Sequence, residues 1–282
     1  MSRDPYLRLK VTDRVVRVLC VLATLLAVVP LLSVLVWVTR QGLQGLDWSF
    51  FTRLPKPVGE TGGGMANAIV GSLELVGVGC LIGVPVGVLA GVYLAEYGDN
   101  WLGRLVRFSA DVLTGVPSIV IGIFVYTLVV LSMRRFSALA GGVALALLML
   151  PVITRTTEEL LRLVPDSLRE AALALGVPRW RATLRVVLRT AAPGIAVGVM
   201  LAVARAAGET APLLFTAFNN RFWSHRLDQP IASLPVQIFT YAVAPYDDWH
   251  RQAWAAALVL VGLVLVLNLG ARLLVRHRVG RR

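Results

Sequence analysis

Cysteine and histidine, two residue types that carry much of enzyme and metal chemistry, are scarce in this sequence of 282 residues. The two cysteines, Cys20 and Cys80, both fall within apolar runs and give neither a disulfide framework nor a metal-ligand spacing. The three histidines, His225, His250 and His277, are far apart and form no zinc motif such as HExxH. We therefore expect no metal site and no catalytic residues.

Lysine is scarcer still, because Lys10 and Lys56 are the only two in the chain. Neither belongs to a GxxxxGK[ST] motif, so the polypeptide has no phosphate-binding lysine of the nucleotide-hydrolysing kind. The net charge of +12 comes from arginine and could indicate nucleic-acid binding. No nucleic-acid motif accompanies it, and the topology argued below accounts for the excess.

Long apolar runs dominate what remains, with 57% hydrophobic residues and a mean hydropathy of +0.73. Each run is about 20 residues long, which is the length of helix that crosses the hydrocarbon core of a bilayer. The sequence therefore predicts an all-α polytopic membrane bundle with six transmembrane helices. The six runs are Val15–Val38, Ala66–Ala95, Val112–Met133, the short Ala138–Thr154, Ala191–Ala217 and Ala253–Val275.

The distribution of basic residues predicts the orientation. With six spans both termini share one side, and the segments on that side hold 19 of the 28 lysines and arginines, against 8 on the other side. Cytoplasmic segments are enriched in these residues, so both termini are expected in the cytoplasm. The first run follows a basic amino terminus but is too long for a signal peptide, and we interpret it as a retained anchor.

The fifth run contains two charges, Arg205 and Glu209, within the stretch ARAAGETAP. Each costs about 2.5 to 3.5 kcal/mol near the membrane centre, so a use or a partner is expected. The two are four residues apart, so they are expected to project on the same face of the fifth helix, with Arg205 about 18 Å from Pro193 and hence at mid-membrane. Pro212 is expected to kink that helix. A guanidinium suits the passage of an oxyanion, with Glu209 orienting it; the alternative is a salt bridge that only fixes packing.

The longest inner loop, from Arg155 to Arg189, predicts a short helix that ends at Gly176 and Pro178 and a second helix that begins at Arg179. Leu168, Ala171, Ala172 and Leu175 follow helical spacing and form one apolar face. A helix-turn-helix of this kind at the membrane surface is suited to docking against a soluble partner.

Within this loop, Glu170, Ala171, Ala172 and Gly176 form the pattern EAA-x3-G, which resembles the coupling motif of ABC importer permeases. Arg189 stands where that motif usually has a proline, and Pro193 follows four residues later. Four further segments narrow the resemblance to the PstA family, permease subunits of bacterial phosphate ABC transporters. They are GVPSIVIGIF, LMLPVITRTTEELLRLVP, ARAAGETAPLLFTAF and SLPVQIFTYA.

The resemblance implies a MetI-like permease fold and import of inorganic phosphate by alternating access. It implies three partners: a second permease of the PstC type, an ATPase dimer of the PstB type that holds ATP and Mg²⁺, and an external phosphate-binding protein of the PstS type. It also suggests that Arg155 helps phosphate to leave, although a solvated positive-inside residue is an equal alternative. Other functions to weigh are a permease for another oxyanion, such as molybdate or phosphonate, and a membrane enzyme.

The domain prediction follows from these segments. Residues 1–65 form a cytoplasmic tail, the first span and an outer loop; residues 66–275 form the permease domain, with the coupling loop at 155–190; residues 276–282 form a basic cytoplasmic tail. The outer segment from Asn219 to Arg251 is the expected docking surface for the binding protein. The expected location is the bacterial inner membrane.

Overall fold

The computed structural model describes residues 5–224 and 226–279, with side chains for 9–224 and 226–270, so His225 and the last three residues of the basic tail lie outside it. Every named element in these ranges is helical. The helices are α1 (Pro5–Gly45), α2 (Trp48–Thr52), α3 (Ala66–Tyr97), α4 (Trp101–Gly115), α5 (Ser118–Met133), α6 (Ala138–Arg162), α7 (Asp166–Ala174), α8 (Arg179–Ala207), α9 (Ala211–Thr216), α10 (Leu234–Ala242) and α11 (Asp247–Val279). Helices α5 and α8 each include one π-helical turn, at Tyr126–Val130 and Thr183–Val187.

Five helices in the described part of the chain are long and apolar enough to cross a membrane, namely α1, α3, α6, α8 and α11. They contain the first, second, fourth and sixth predicted runs and most of the fifth. The fourth is longer than predicted, because α6 continues eight residues beyond Thr154 to Arg162. Proline within α1, α3, α6 and α8 does not end these helices, as is common in membrane helices.

The third predicted span, Val112–Met133, is not one helix. Helix α4 ends at Gly115, α5 begins at Ser118, and the two meet at 110°. Pro117 has no backbone N–H to donate and disfavours helical backbone at the residue before it, so Val116 is extended with φ −74° and ψ 129°. In the sequence, Gly115 and Pro117 permit a bend at this point, but the uninterrupted apolar run gives no signal that one helix ends and another begins.

The packing of α3 on α6 shows that α4 and α5, the broken pair, together cross the membrane once. A methyl group added at Gly83 would meet Ala146, and one at Gly91 would meet Thr157. Residue numbers rise together along the two helices, so α3 and α6 run parallel. The chain between the end of α3 and the start of α6 must therefore traverse the bundle once, as α4 and α5. This gives six crossings, as predicted.

Two ends of the bundle can now be defined. The α7 end is where α3 and α6 finish and α8 begins; the α10 end is where α3 and α6 begin. The main core lies between α3, α6, α8 and α5, with Leu75, Leu145, Met149 and Ile153 all buried. A second cluster at the α10 end joins α2, α10 and α11 through Phe50, Met65, Leu234, Tyr241 and Trp249.

Candidate functional site

The Arg205–Glu209 pair lies at a break between two helices. Helix α8 ends at Ala207, Gly208 follows it, and α9 starts at Ala211 with Pro212 in its first turn. The expectation that Pro212 kinks one continuous helix is therefore wrong. A proline in the first turn of a helix has no intrahelical hydrogen bond to lose, so it is compatible with a new helix start. Glu209 lies in the connection, and its Oε1 is 3.8 Å from Nε of Arg205.

The depth of Arg205 follows from how α8 packs on α6. A methyl group at Gly194 would meet Leu160, and one at Gly198 would meet Thr156, so these two helices are antiparallel. Seven residues further, or about 10 Å at the helical rise, Arg205 is level with Met149. Met149 is midway along α6, and Ala206 and Ala207 belong to the same buried cluster. The charge therefore lies half-way between the two ends of the bundle.

The guanidinium is on the lateral surface of the single subunit. The Arg205 side chain is 56% exposed, whereas that of Glu209 is 17% exposed. Leu201 and Val197, one and two turns earlier, are exposed on the same side of α8. In contact with lipid, a charge at this depth would cost several kcal/mol. The arrangement is favourable only where a second protein surface or an aqueous path covers this face.

The coupling segment takes the predicted helix-turn-helix form. Helix α7 follows Pro165, and Gly176 has a left-handed backbone with φ +75°, which favours glycine and ends the helix. Glu170 and Ala171 are exposed, and Ala172 is buried. Leu168 and Leu175 of the predicted apolar face are also exposed. Of that face, only Ala172 packs inward, so the rest of it is free to meet another molecule.

Arg155 lies towards the α7 end of α6, where it is paired with two carboxylates. Its Nε donates to Oδ1 of Asp111 at 2.9 Å, its Nη2 contacts both carboxylate oxygens, and its Nη1 donates to Glu158 at 3.3 Å. Arg155 is therefore not an unpaired, solvated residue. It also lies at a different depth from Arg205, because it is six residues beyond Met149 towards the α7 end. A role in phosphate exit stays a prediction, with the ion pairs as a structural function beside it.

Sequence reasoning missed the acidic partners at the α7 end. Glu158 is 3% exposed and lies among Arg107, Arg155 and Arg162. Glu96 is paired with Arg169 of α7. From the sequence, Arg107, Arg162 and Arg169 are only positive-inside residues, and Arg155 is in addition a candidate for phosphate exit. The sequence does indicate that Glu96 and Glu158 need partners, because each lies near the end of an apolar run, among segments that are rich in arginine. It does not indicate which arginines they bind, because Arg107 and Arg169 are distant along the chain.

The segment from Asn219 to Arg251 forms the surface of the α10 end. Trp249 is buried and stacks on Tyr241 with ring centroids 4.2 Å apart, whereas Phe222 is exposed. Arg226 donates to both carboxylate oxygens of Asp228. These hydrogen bonds, together with the positive charges of Arg226 and Arg135, hold the pKa of the Asp228 carboxyl below its usual value. The aromatic residues are thus divided between core and surface, and Arg226 and Asp228 are paired with each other.

Comparison with known proteins identifies the family. The family model described as the binding-protein-dependent transport system inner membrane component matches residues 83–280. A phosphate transport system permease protein PstA of Yersinia pestis is 48% identical over 263 residues, which are 93% of this chain and 89% of that protein. This chain belongs to the PstA family. A PstA of Xylella fastidiosa is 49% identical over 242 residues, 85% of this chain and 84% of that one.

More distant relatives of this PstA-family chain extend the comparison. PstA 1 of Mycobacterium tuberculosis is 43% identical over 218 residues, 75% of this chain and 70% of that protein. Among solved structures, the inward-facing MetNI methionine ABC transporter gives a TM-score of 0.59 at 20% identity, covering 76% of this chain and 96% of the other. A bacterial ABC transporter involved in alginate import gives 0.57 at 16% identity, covering 95% and 99%. These two structures share the fold. The family match, the PstA relatives and the long apolar helices together identify the chain as a multi-pass inner membrane permease.

Proposed function

We propose that this chain is the permease subunit of an ATP-driven importer of inorganic phosphate. The observation that carries the proposal is the 48% identity to a phosphate transport permease over 93% of the chain. An identity of this size extends through the spans, the coupling segment and the polar break, which are the parts that would contact substrate and partners. The relatives are transport permeases, and the ATP and Mg²⁺ belong to a partner ATPase.

Arg205 and Glu209 are the substrate-pathway residues of this proposal. The guanidinium lies at half depth on a face that is unfavourable in lipid, which supports an assembly in which a second, PstC-like permease covers it. Its planar fork of N–H donors matches phosphate oxygens and stays charged at any physiological pH. Glu209, at 3.8 Å, lowers the cost of the empty pathway and orients the arginine. Arg155 would assist the anion at the α7 end.

The partners are assigned to the two ends of the bundle. The PstB-like ATPase dimer docks at the α7 end, on the segment that contains Glu170, Ala171, Ala172 and Gly176, with Ala172 packed inward as its support. In this arrangement the α7 end and both termini are in the cytoplasm. The PstS-like binding protein docks at the α10 end, on the segment from Asn219 to Arg251. Closure of the ATPase then moves α7 and reorients the paired permeases around the substrate path. Loss of the ATPase on purification of a Glu170→Ala complex would support the first contact, and its full retention would argue against it.

Orientation has a direct test with single cysteines. Phe222→Cys at the α10 end and Leu175→Cys at the α7 end are both highly exposed positions. A membrane-impermeant maleimide should label Phe222→Cys in spheroplasts and Leu175→Cys in inverted vesicles that lack the ATPase. The opposite pattern would reverse the proposed topology.

Substrate and pathway are tested by uptake of radiolabelled phosphate in a strain that depends on this system. Arg205→Lys keeps the charge but loses the paired donors, so we expect uptake to fall by about tenfold, the order of one lost charge-assisted contact. Arg189→Lys, an exposed change in the same helix but nearer the α7 end, is the matched control and should leave uptake unchanged. Equal uptake by both variants, with assembly intact, would remove Arg205 from the pathway.

The identity of the anion is tested in the same cells. Excess unlabelled phosphate should suppress the uptake of labelled phosphate, and excess molybdate or phosphonate should not. Suppression by molybdate or phosphonate at the same concentration would assign the permease to another oxyanion.

A further inference from the structure

The α7 end contains a set of ion pairs that joins the coupling helix to the broken pair α4–α5. At its centre is Glu158 of α6, whose side chain is 4% exposed. Its Oε1 accepts from Nε of Arg107 at 2.7 Å and lies 2.9 Å from Nη2 of Arg162, and its Oε2 accepts from Arg155. A carboxylate buried to this extent is stable only when it is paired, so the position of these arginines is strongly defined.

Arg107 joins three helices. Besides Glu158 in α6, it donates from Nη1 to the carbonyl of Gly98 at 3.0 Å and from Nη2 to that of Leu94 at 2.9 Å. These carbonyls are at the end of α3, where they lack intrahelical partners and carry partial negative charge. One guanidinium of α4 is therefore bonded to the end of α3 and to a buried carboxylate of α6.

Arg169 of the coupling helix α7 holds the same turn of α3. Its Nε and Nη2 lie 3.2 and 3.1 Å from Oε1 of Glu96, and it also donates to the carbonyls of Leu161 at 2.8 Å and Val164 at 2.6 Å, at the end of α6. The other oxygen of Glu96 accepts from Thr183 in α8. The last turn of α3 thus lies between Arg169 on one side and Arg107 on the other.

The connection continues beyond α4. One turn after Arg107, Asp111 is bonded to Arg155 of α6, and four residues later α4 ends at the Val116–Pro117 break. Across the break, α5 packs on the segment after Glu209, because a methyl group at Gly122 would lie 2.6 Å from Cα of Pro212. Contacts therefore lead from α7, through the end of α3 and α4, to the connection that contains Glu209.

We propose that Arg169 and Arg107 are positioning residues of the transport cycle, which pass a displacement of α7 through the last turn of α3 to the α4–α5 pair. The inference rests on the proposed function, since it assumes that an ATPase moves α7. Neither residue needs to contact substrate. A continuous set of charge-assisted hydrogen bonds, with a break in the helix pair as the movable element, supplies the physical basis for such coupling.

Hydrogen exchange gives a test that needs no phosphate. In the full complex with its ATPase, we expect the exchange of the α4 amides, residues 103–115, to differ between the nucleotide-free and nucleotide-bound states, together with that of α7. In Arg169→Gln, the nucleotide response of α7 should remain and that of α4 should be lost. Arg162→Gln is the matched control, because Arg162 also pairs with Glu158 but lies on the same helix as it, and its α4 response should remain. An α4 response that persists in Arg169→Gln would overturn the proposal.

Transport stoichiometry supplies the second measurement. In proteoliposomes, Arg107→Gln should lower the phosphate transported per ATP hydrolysed by about fivefold or more, the lower end of measured coupling between sites. Arg107→Lys should recover part of that ratio, and Arg162→Gln should match the wild type. Ratios that are equal for Arg107→Gln and Arg162→Gln would overturn the proposal. If the wild-type complex hydrolyses ATP but carries no phosphate, the proposed function fails, while the exchange experiment still decides the inference.

Discussion

Helices α1 and α6 are both apolar enough to span a membrane, yet they occupy opposite positions in the fold. The most hydrophobic 18-residue stretch of α1 has a mean hydropathy of 2.8 and none of it is buried, whereas that of α6 has a mean hydropathy of 1.9 and is 67% buried. Helix α1 packs mainly along α11, with Gly42 close to Leu258. The more hydrophobic helix is therefore the more peripheral one.

The reason is that lipid and a protein interior are equally apolar, so hydrophobicity does not draw a helix into the bundle. What places α6 at the centre is close packing and polar pairing. Gly79, Gly83, Gly87 and Gly91 of α3 recur every four residues and face α6, so the two backbones approach closely. Glu158 of α6 then adds charged hydrogen bonds to α4. Most of α1 presents long aliphatic side chains, and its close glycine contacts are confined to its last turn, at Gly42 and Gly45.

The largest effect should come from removing the buried charge. Glu158→Gln leaves Arg107 and Arg155 without a carboxylate between them, and breaking a buried pair of this kind costs about 3 to 5 kcal/mol. Glu159→Gln, at the adjacent exposed position, should have little effect. The measurement is the free energy of unfolding of the complex in mild detergent. A loss no greater than that of Glu159→Gln would show that α6 is held without its charge.

A single methyl group added to one of the four α3 glycines that face α6 should have an intermediate effect on stability. In Gly91→Ala the new carbon would lie 2.5 Å from Cβ of Thr157 and 2.7 Å from the carbonyl of Thr154, so the helices must separate. Overpacking of this type costs about 1 to 3 kcal/mol. Gly77→Ala, in the same helix with nothing within 4 Å, is the control and should retain full stability. Equal thermal stability of the two variants would contradict close α3–α6 packing as the cause.

The smallest effect is expected in α1. Leu26 is 78% exposed, and Leu26→Ala removes no protein contact of consequence, so the change in stability should be about 0.5 kcal/mol or less. Leu145→Ala in α6, where the side chain is 1% exposed, should be several times more destabilising because it leaves a cavity. Thermal unfolding of the two variants side by side is the measurement. A larger loss for Leu26→Ala would reverse the comparison.

The spans and the coupling segment could be predicted because both depend on local patterns: an apolar run of sufficient length, and helix-ending residues such as Gly176. The two errors, at Val116–Pro117 and at Gly208–Thr210, lie inside apolar runs, where hydropathy gives no signal for a break. The presence of a proline does not identify a break either, because Pro85 and Pro151 lie within continuous helices whereas Pro117 follows a helix end. The glycine spacing in α3 permits a close contact with another helix, but the spacing does not specify which helix.

The charged pairs could not be assigned from the sequence. Arg107 and Glu158 are 51 residues apart, and Arg169 and Glu96 are 73 apart, so only the folded chain selects each partner from many arginines. Arg205 and Glu209 were recognised because their cost in lipid is a local property. Their distance of 3.8 Å required the structure, as did the finding that the guanidinium lies on the outside of the subunit.

The break at Val116–Pro117 has a mechanical consequence. Bending a continuous helix requires that several of its backbone hydrogen bonds be stretched or lost, whereas here the proline ring already interrupts the ladder and the amide of Val116 is satisfied locally by Leu113. Swinging α5 relative to α4 can proceed by rotation about a few backbone torsions. A joint of this kind lets one part of the bundle pivot repeatedly while every helix keeps its own internal bonds.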